Sequence, residues 1–207
     1  PKEAWNDKRL LEKCVRNRFI YSSSLSSHAI ANGFNVCKLA PKVSVFNPAL
    51  AKHLVERYLM DFNEVFDPFS GFSGRMLGTC ALGKRYVGRD LDPEHVEESN
   101  EIIEFLNSKA DASIDAEISL ADVLVSPKET HECLFTCPPY SDKESWGKKT
   151  RTASCDEWID ICLEKFSCKT YLFVVDDTKK YADRVVYEIK NRSYLGENTE
   201  KVVLIER

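Results

Sequence analysis

From about residue 62 onward the chain alternates short apolar runs with stretches of helical period, and that alternation leaves few architectures open. The runs "EVFDPF" (64–69), "KRYVGRDL" (84–91), "DAEISLADVL" (115–124), "ECLFTC" (132–137), "KTYLFVVDD" (169–177) and "EKVVLIER" (200–207) read as strands. Between them, "GFSGRMLGTCALG" (71–83) opens a helix from a glycine-rich turn, and "DPEHVEESNEIIEFLNS" (92–108), "CDEWIDICLEKF" (155–166) and "KKYADRVVYEIK" (179–190) read as helices. Asp92 is placed to cap its helix, with Pro93 at the first position and acids in the first turns. Strands alternating with helices of roughly 10–15 residues are the signature of βαβ units around a mainly parallel sheet, here an α/β fold with helices on both faces. The run in 169–177 is near-continuously apolar at its centre, as a strand buried on both faces requires.

Upstream, "PALAKHLVERYL" (48–59) has helical spacing with proline in its first turn. Residues 1–20 read as a charged helix and 21–40, serine-rich with a glycine, as a loop. The expected organisation is an N-terminal extension over 1–40 and one domain over 41–207.

Composition narrows the function classes. At 207 residues, 43% apolar and 30% charged, the chain is an ordinary globule, and its net charge of −4 excludes a global polycation. No stretch approaches the roughly 18–20 apolar residues of a membrane span, and the charged N-terminus lacks the core of a signal peptide, so a cytoplasmic protein is expected. The 8 cysteines show no two-residue spacing of a zinc or redox motif and several sit in apolar runs, so reduced thiols are expected. With the 4 histidines they form no ligand pattern, and no metal site is expected. Positive charge is local: Lys8, Arg9, Lys13, Arg16 and Arg18 near the start, and Lys143, Lys148, Lys149 and Arg151 after the proline pair. Either cluster reads as a solvated face; the second gains meaning only beside an active site.

The strand ends carry the chemistry. Asp67, Asp90, Asp122 and Cys137-Pro138-Pro139-Tyr140 all fall at carboxyl ends of predicted strands, which share one edge of a doubly wound sheet, where such sheets bind ligands. The glycines of "DPFSGFSGR", Gly71 and Gly74, permit a tight turn and close approach of a ligand. Their spacing with Gly78 is neither the dinucleotide G-x-G-x-x-G nor a P-loop. One such turn can be purely structural, but an acid at Asp90 can accept from both hydroxyls of a ribose. The pattern fits a ribose-bearing cofactor that lacks a pyrophosphate.

These segments resemble the S-adenosylmethionine-dependent amino-methyltransferases that act on DNA. "FDPFSGFSGR" is similar to their cofactor loop, D-P-F-x-G-x-G; "TCPPY" is similar to their catalytic motif, Asp, Asn or Ser before Pro-Pro-Tyr/Phe/Trp; "VSVFNPALAKHLVERY" (43–58) resembles the segment that closes over the methionine end of the cofactor. The resemblance covers roughly residues 40–207 and implies a Rossmann-like methyltransferase fold with a seven-stranded-type sheet. It implies that Asp67, Pro68 and the Phe69–Gly74 loop hold the methionine portion, Asp90 the ribose and Asp122 the adenine amino group, with Phe46 and Asn47 flanking the cofactor. It further implies that Tyr140 stacks on a flipped-out base, and that Trp146, Lys148, Lys149 and Arg151, in the basic interval "SDKESWGKKTRTA" (141–153), contact DNA. The prolines would fix a rigid elbow presenting carbonyls to the target amine, whose delocalised lone pair must be localised by two acceptors, the side chain at 137 and a backbone carbonyl.

Cys137 departs from the family pattern, because a thiol is a weak acceptor and an apolar setting disfavours the thiolate. Retained activity resting on the backbone carbonyl, a different substrate, and lost catalysis all remain open. Cys137 as a covalent nucleophile lacks the proline-cysteine order of such enzymes. The competing functions are methylation of RNA or another amine, and a catalytically decayed nucleic-acid-binding module. Oligomeric state is left open.

Overall fold

A computed structural model describes residues 5–21, 26–37, 39, 45–109, 113–139, 153–193 and 196–207. The chain divides into two units, Pro1–Ser44 and Val45–Arg207.

Among its described residues the first unit holds the helices α1 (Lys8–Tyr21) and α2 (Ser27–Val36), which pack together. The second corrects the expected loop over 21–40. Ser26 starts it: its Oγ accepts from the Ala29 N–H at 3.1 Å and its carbonyl from Ile30 at 3.0 Å. Ile30 and Phe34, four residues apart, then face the Cys14, Leu10 and Leu11 side of α1. Gly33 is required at the crossing, since a Cβ there would lie 2.4 Å from the Cys14 sulfur.

The second unit is built on a seven-stranded sheet of order β3-β2-β1-β5-β7-β9-β8. The strands are β1 (Glu64–Asp67), β2 (Arg85–Asp90), β3 (Ala116–Leu120), β5 (Cys133–Thr136), β7 (Thr170–Val175), β8 (Val185–Ser193) and β9 (Gly196–Glu206). Five of them pair in parallel, β9 runs antiparallel to both neighbours, and a two-strand patch of β4 (Glu129–Thr130) and β6 (Phe166–Ser167) stands apart. The helices are α3 (Pro48–Tyr58), α4 (Gly74–Cys80), α5 (Pro93–Ser108) and α6 (Cys155–Lys165).

Side-chain alternation along the strands separates two cores. Val65, Cys133, Phe135, Leu172 and Val174 pack with Ala51, Leu54 and Val55 of α3; Phe66, Leu134, Tyr171, Phe173 and Val175 pack with Cys155, Ile159 and Cys162 of α6. Each fully buried large apolar side chain contributes on the order of 1.5–3 kcal/mol. All eight cysteines are free thiols.

The reading of 179–190 as a helix is overturned. Only Ala182–Arg184 form a short 3₁₀ turn, and Val185–Ser193 are β8, paired antiparallel with β9. Val185, Val186, Tyr187 and Ile189 favour a pleated surface over a helix, and β9 supplies the partner. The last strand is correspondingly longer than "EKVVLIER", starting at Gly196.

Strand order reverses between β1 and β5. The chain leaves β1 toward β2 and β3 on one side, and β5 toward β7 on the other. The loop after Asp67 and the proline elbow after Thr136 therefore flank the crevice where doubly wound sheets take ligands.

Candidate functional site

Asp67, the last residue of β1, is fully buried and accepts from four donors. Its Oδ1 takes the Thr136 hydroxyl at 2.6 Å and the Phe69 N–H at 3.1 Å; its Oδ2 takes Arg75 Nε at 2.6 Å and the Tyr86 hydroxyl at 2.7 Å. A carboxylate offers about four lone-pair sites, so this one is saturated. Asp67 thus lies beneath the loop and organises it from inside the protein. Thr136, immediately before Cys137, joins the ends of β1 and β5 through it.

Arg75 crosses the site. It also donates to the Phe69 carbonyl, and its guanidinium lies 5.2 Å over the Phe46 ring. Burial opposes its charge, but Asp67 outweighs burial, with the field of Cys137 adding to it, and holds the guanidinium more firmly protonated than usual. Tyr86, buried against Asp67, is held well above the ordinary phenol range, and so keeps its proton and donates a hydrogen bond to the carboxylate.

The loop departs from the motif it resembles. Read strictly, D-P-F-x-G-x-G puts its second glycine at position 73, which is serine. Ser73 takes the left-handed conformation (φ 61°), like Gly71 (φ 55°), and its hydroxyl meets that of Ser99 on α5 at 2.6 Å. Gly74 is needed for a different reason: a Cβ there would lie 2.0 Å from the Phe46 carbonyl oxygen. The same holds at Gly78, where a Cβ would approach the Pro48 carbonyl to 2.5 Å. Glycines on α4 let the segment from Phe46 into α3 lie directly on the loop.

Phe46 is edge-on to Phe135 at 5.9 Å, and Cys137 packs beside it in the α3 core cluster. Asn47 caps α3, its Oδ1 accepting from Ala49 at 2.9 Å and Leu50 at 3.4 Å. Pro138 is buried and Pro139 partly so. Tyr140, Trp146, Lys148, Lys149 and Arg151 lie outside the described residues.

Asp90 stands at the end of β2. Its Oδ2 accepts from the Gly71 N–H at 2.8 Å and its Oδ1 from Asp92 at 2.9 Å, with His95 Nδ1 3.7 Å away. Burial works against its ionisation, but the nearby His95 imidazole and hydrogen bonds from the two backbone amides outweigh it and hold the carboxyl below its usual range. His95 is raised in turn, chiefly by Asp90 against the cost of burial. Two of the roughly four acceptor positions of Asp90 are left for a ligand. Asp122, past the end of β3, accepts from Leu124 at 2.8 Å and turns the chain. Its neighbour Ala121 bonds to the Asp90 carbonyl at 2.9 Å, so the two acids lie side by side at adjacent strand ends.

Among the described residues, two buried polar atoms at the site have no partner: Ser70 Oγ in the loop and Trp158 Nε1 on α6. Trp158 meets Phe69 edge-on at 5.2 Å. Thr136, Arg75, Tyr86, Ser73, His95 and Trp158 were not singled out by sequence spacing. Arg75 and Ser73, within the quoted loop motif, and Thr136, at the head of "TCPPY", carried a signal; Tyr86, His95 and Trp158 become visible once strands and helices are assembled.

The fold has known counterparts. No family model and no curated protein matches the sequence. Among solved structures, a candidate RNA methyltransferase from Pyrococcus horikoshii superposes with a TM-score of 0.54 at 14% identity, covering 77% of this chain and 83% of that one. An RNA methyltransferase from Salinibacter ruber in complex with S-adenosyl-L-homocysteine gives 0.51 at 16%, covering 79% and 94%. A tRNA (uracil-54, C5)-methyltransferase from Pyrococcus abyssi, also in complex with S-adenosyl-L-homocysteine, gives 0.52 at 14%, covering 75% of this chain and 36% of that one.

The fold is that of the Rossmann-like methyltransferases. In that fold the expected seven-stranded sheet is present, with the order and the single reversed strand described above. No helix among the described residues is long and apolar enough to cross a membrane, and no group of His, Cys, Asp and Glu among them could hold a metal ion.

Proposed function

We propose that the chain is an S-adenosylmethionine-dependent methyltransferase that methylates an exocyclic amine of a flipped-out DNA base, N4 of cytosine or N6 of adenine. The observation that carries this reading is the Thr136–Asp67 bond at 2.6 Å, which ties the proline elbow to the D-P-F loop across the strand-order reversal.

The residues present fit the cofactor. Asp90 keeps acceptor positions for ribose hydroxyls, Asp122 stands beside it for an amino group, and the orphaned Ser70 and Trp158 donors lie in and against the loop. When bound, S-adenosylmethionine supplies an electrophilic methyl group on a sulfonium. The chain's own contribution is positioning. Phe46 and α3 cover the loop, the Pro138-Pro139 elbow aims a carbonyl at the amine N–H, and Cys137 is the second acceptor. Tyr140 offers the stacking face for the extruded base.

Nucleoside mass spectrometry on DNA and RNA from cells expressing the chain, beside a Pro139→Ala/Tyr140→Ala variant, tests the reading. A methylated cytosine or adenine in DNA, absent with the variant, supports it. A mark confined to RNA favours the second reading, RNA amine methylation, for which the RNA methyltransferases among the structural counterparts speak. No mark in either pool, with S-adenosylmethionine still bound in solution, leaves a binding module on a methyltransferase fold.

A further inference from the structure

Charge is divided unevenly between the two units. Residues 1–44 hold eight basic and three acidic side chains, net +5, in a chain of net −4, which leaves −9 on the unit carrying the candidate site. A polyanion is repelled by that second unit as a whole, so an enzyme acting on nucleic acid needs its positive surface elsewhere.

Helix α1 has the features of one. Its apolar side, Leu10, Leu11 and Cys14, is already used against Phe34 and Ile30 of α2. Lys8, Arg9, Lys13 and Arg16 fall on the other side, within an arc on the order of 140° at 3.6 residues per turn, and all four are exposed. Only Glu12 interrupts them, pairing with Arg16 at 2.9 Å. At the C-terminal end of the same helix, Phe19, Ile20 and Tyr21 are 68%, 71% and 73% exposed, an apolar tip on a basic rod.

We propose that the outward face of α1 is a docking surface for double-stranded DNA, with Lys8, Arg9, Lys13 and Arg16 on phosphates and Phe19, Ile20 and Tyr21 against base edges. This rests on the reading of the second unit as a nucleic-acid methyltransferase. Charge complementarity selects a polyanion. The scaffold selects DNA over duplex RNA, because a B-form major groove admits an α-helix whereas the A-form groove is too narrow for side chains to enter. The fourteen residues of α1 span about 21 Å, enough to follow a groove for half a turn or more. The apolar tip can meet base edges in the same groove, where apolar contact reads the thymine methyl group.

The test is fluorescence anisotropy of a labelled random-sequence DNA duplex titrated with the full chain over a range of salt. Compared are the Lys8→Glu/Arg9→Glu/Lys13→Glu/Arg16→Glu variant, its four-glutamine counterpart, and Phe19→Ala/Tyr21→Ala. The wild-type log affinity falls linearly with log salt; each lost phosphate contact lowers the slope by about 0.9, so the glutamine variant loses about 3 to 4. The glutamate variant binds at least about 100-fold more weakly at low salt, and the alanine pair about 10-fold more weakly with its slope unchanged. Equal slopes for wild type and the glutamine variant overturn the proposal. So does tighter binding to duplex RNA, or to vesicles containing phosphatidylserine, than to duplex DNA. A change of oligomeric state in the alanine pair, with DNA affinity intact, assigns the face to a second copy instead. S-Adenosylmethionine affinity, measured calorimetrically, is the same in all variants. A DNA mark with no α1 dependence of binding sinks this inference alone, and α1-dependent DNA binding without any mark sinks only the enzymatic reading.

Discussion

The Arg75 Nε lies 2.6 Å from Asp67 Oδ2, with the two side chains only 6% and 0% exposed. This buried pair holds the loop, the elbow and the second strand to one point, because Thr136 and Tyr86 share the same carboxylate. It also sets the first expectation.

Arg75→Met leaves Asp67 buried without its counter-ion and is expected to cost about 3–5 kcal/mol, read from the midpoint of urea unfolding. Thr136→Val keeps the shape and removes one hydrogen bond, for about 1–3 kcal/mol. If Arg75→Met unfolds within about 1 kcal/mol of wild type, Asp67 is not the anchor described here.

Gly74→Ala places a methyl group 2.0 Å from the Phe46 carbonyl oxygen, backbone against side chain, with no flexible group to give way. The segment entering α3 must lift. S-Adenosylmethionine affinity is expected to fall at least about tenfold, about 1.4 kcal/mol, in isothermal titration, while Gly83→Ala, with open space around it, leaves affinity unchanged despite some backbone strain.

His95 gives a pH dependence of definite sign. Its folded-state pKa is raised by Asp90, so the pair's stabilisation is complete below the unfolded value of about 6.5 and disappears as pH rises through the folded value. Melting curves of wild type and His95→Gln should therefore differ most in mild acid and converge at alkaline pH. A gap that widens with rising pH contradicts the assignment.

Trp158→Phe keeps a ring against Phe69 and removes the orphaned indole N–H. If that donor meets the cofactor, affinity drops by roughly 3- to 10-fold with little loss of stability, the worth of one neutral hydrogen bond. Wild-type tryptophan fluorescence should also change on cofactor addition and the variant's should respond less.

Cys137→Asp puts a charged acceptor where the thiol stands. Hydrogen bonds to charged groups are worth about twice those to neutral ones, so turnover is expected to rise about tenfold, with KM for S-adenosylmethionine little altered. Unchanged or lower turnover means that Cys137 is not an acceptor in the transition state.

Much of this was legible before assembly, for physical reasons. β7 announces itself because a strand buried on both faces is apolar throughout, β1, β2, β3 and β5 because short apolar runs alternate with helical stretches, and α5 because Asp92, Pro93 and its acids mark a helix start. β8 was misread because "KKYADRVVYEIK" has helical spacing of its apolar residues, and only pairing with β9 decides between the two periods. α2 was missed because serine and glycine obscure a helix that Phe34 and Cys14 hold in place. At the site, spacing pointed to Asp67 but not to its saturation by Arg75, Tyr86 and Thr136. Those partners come from three separate elements, and no local pattern relates them.

The placement of β9 between β7 and β8 has a consequence for how the protein is made. β7 is buried along all six of its residues, yet one of its hydrogen-bonding edges has no partner until Gly196–Glu206 has been synthesised. β8 emerges earlier and can only wait, since it reaches the sheet through β9 alone. A ribosome-bound chain ending before Gly196 therefore displays a bare apolar edge, the template on which strands of neighbouring nascent chains pair. Synthesis of Gly196–Glu206 is therefore the event that closes that edge and recruits β8 to the sheet.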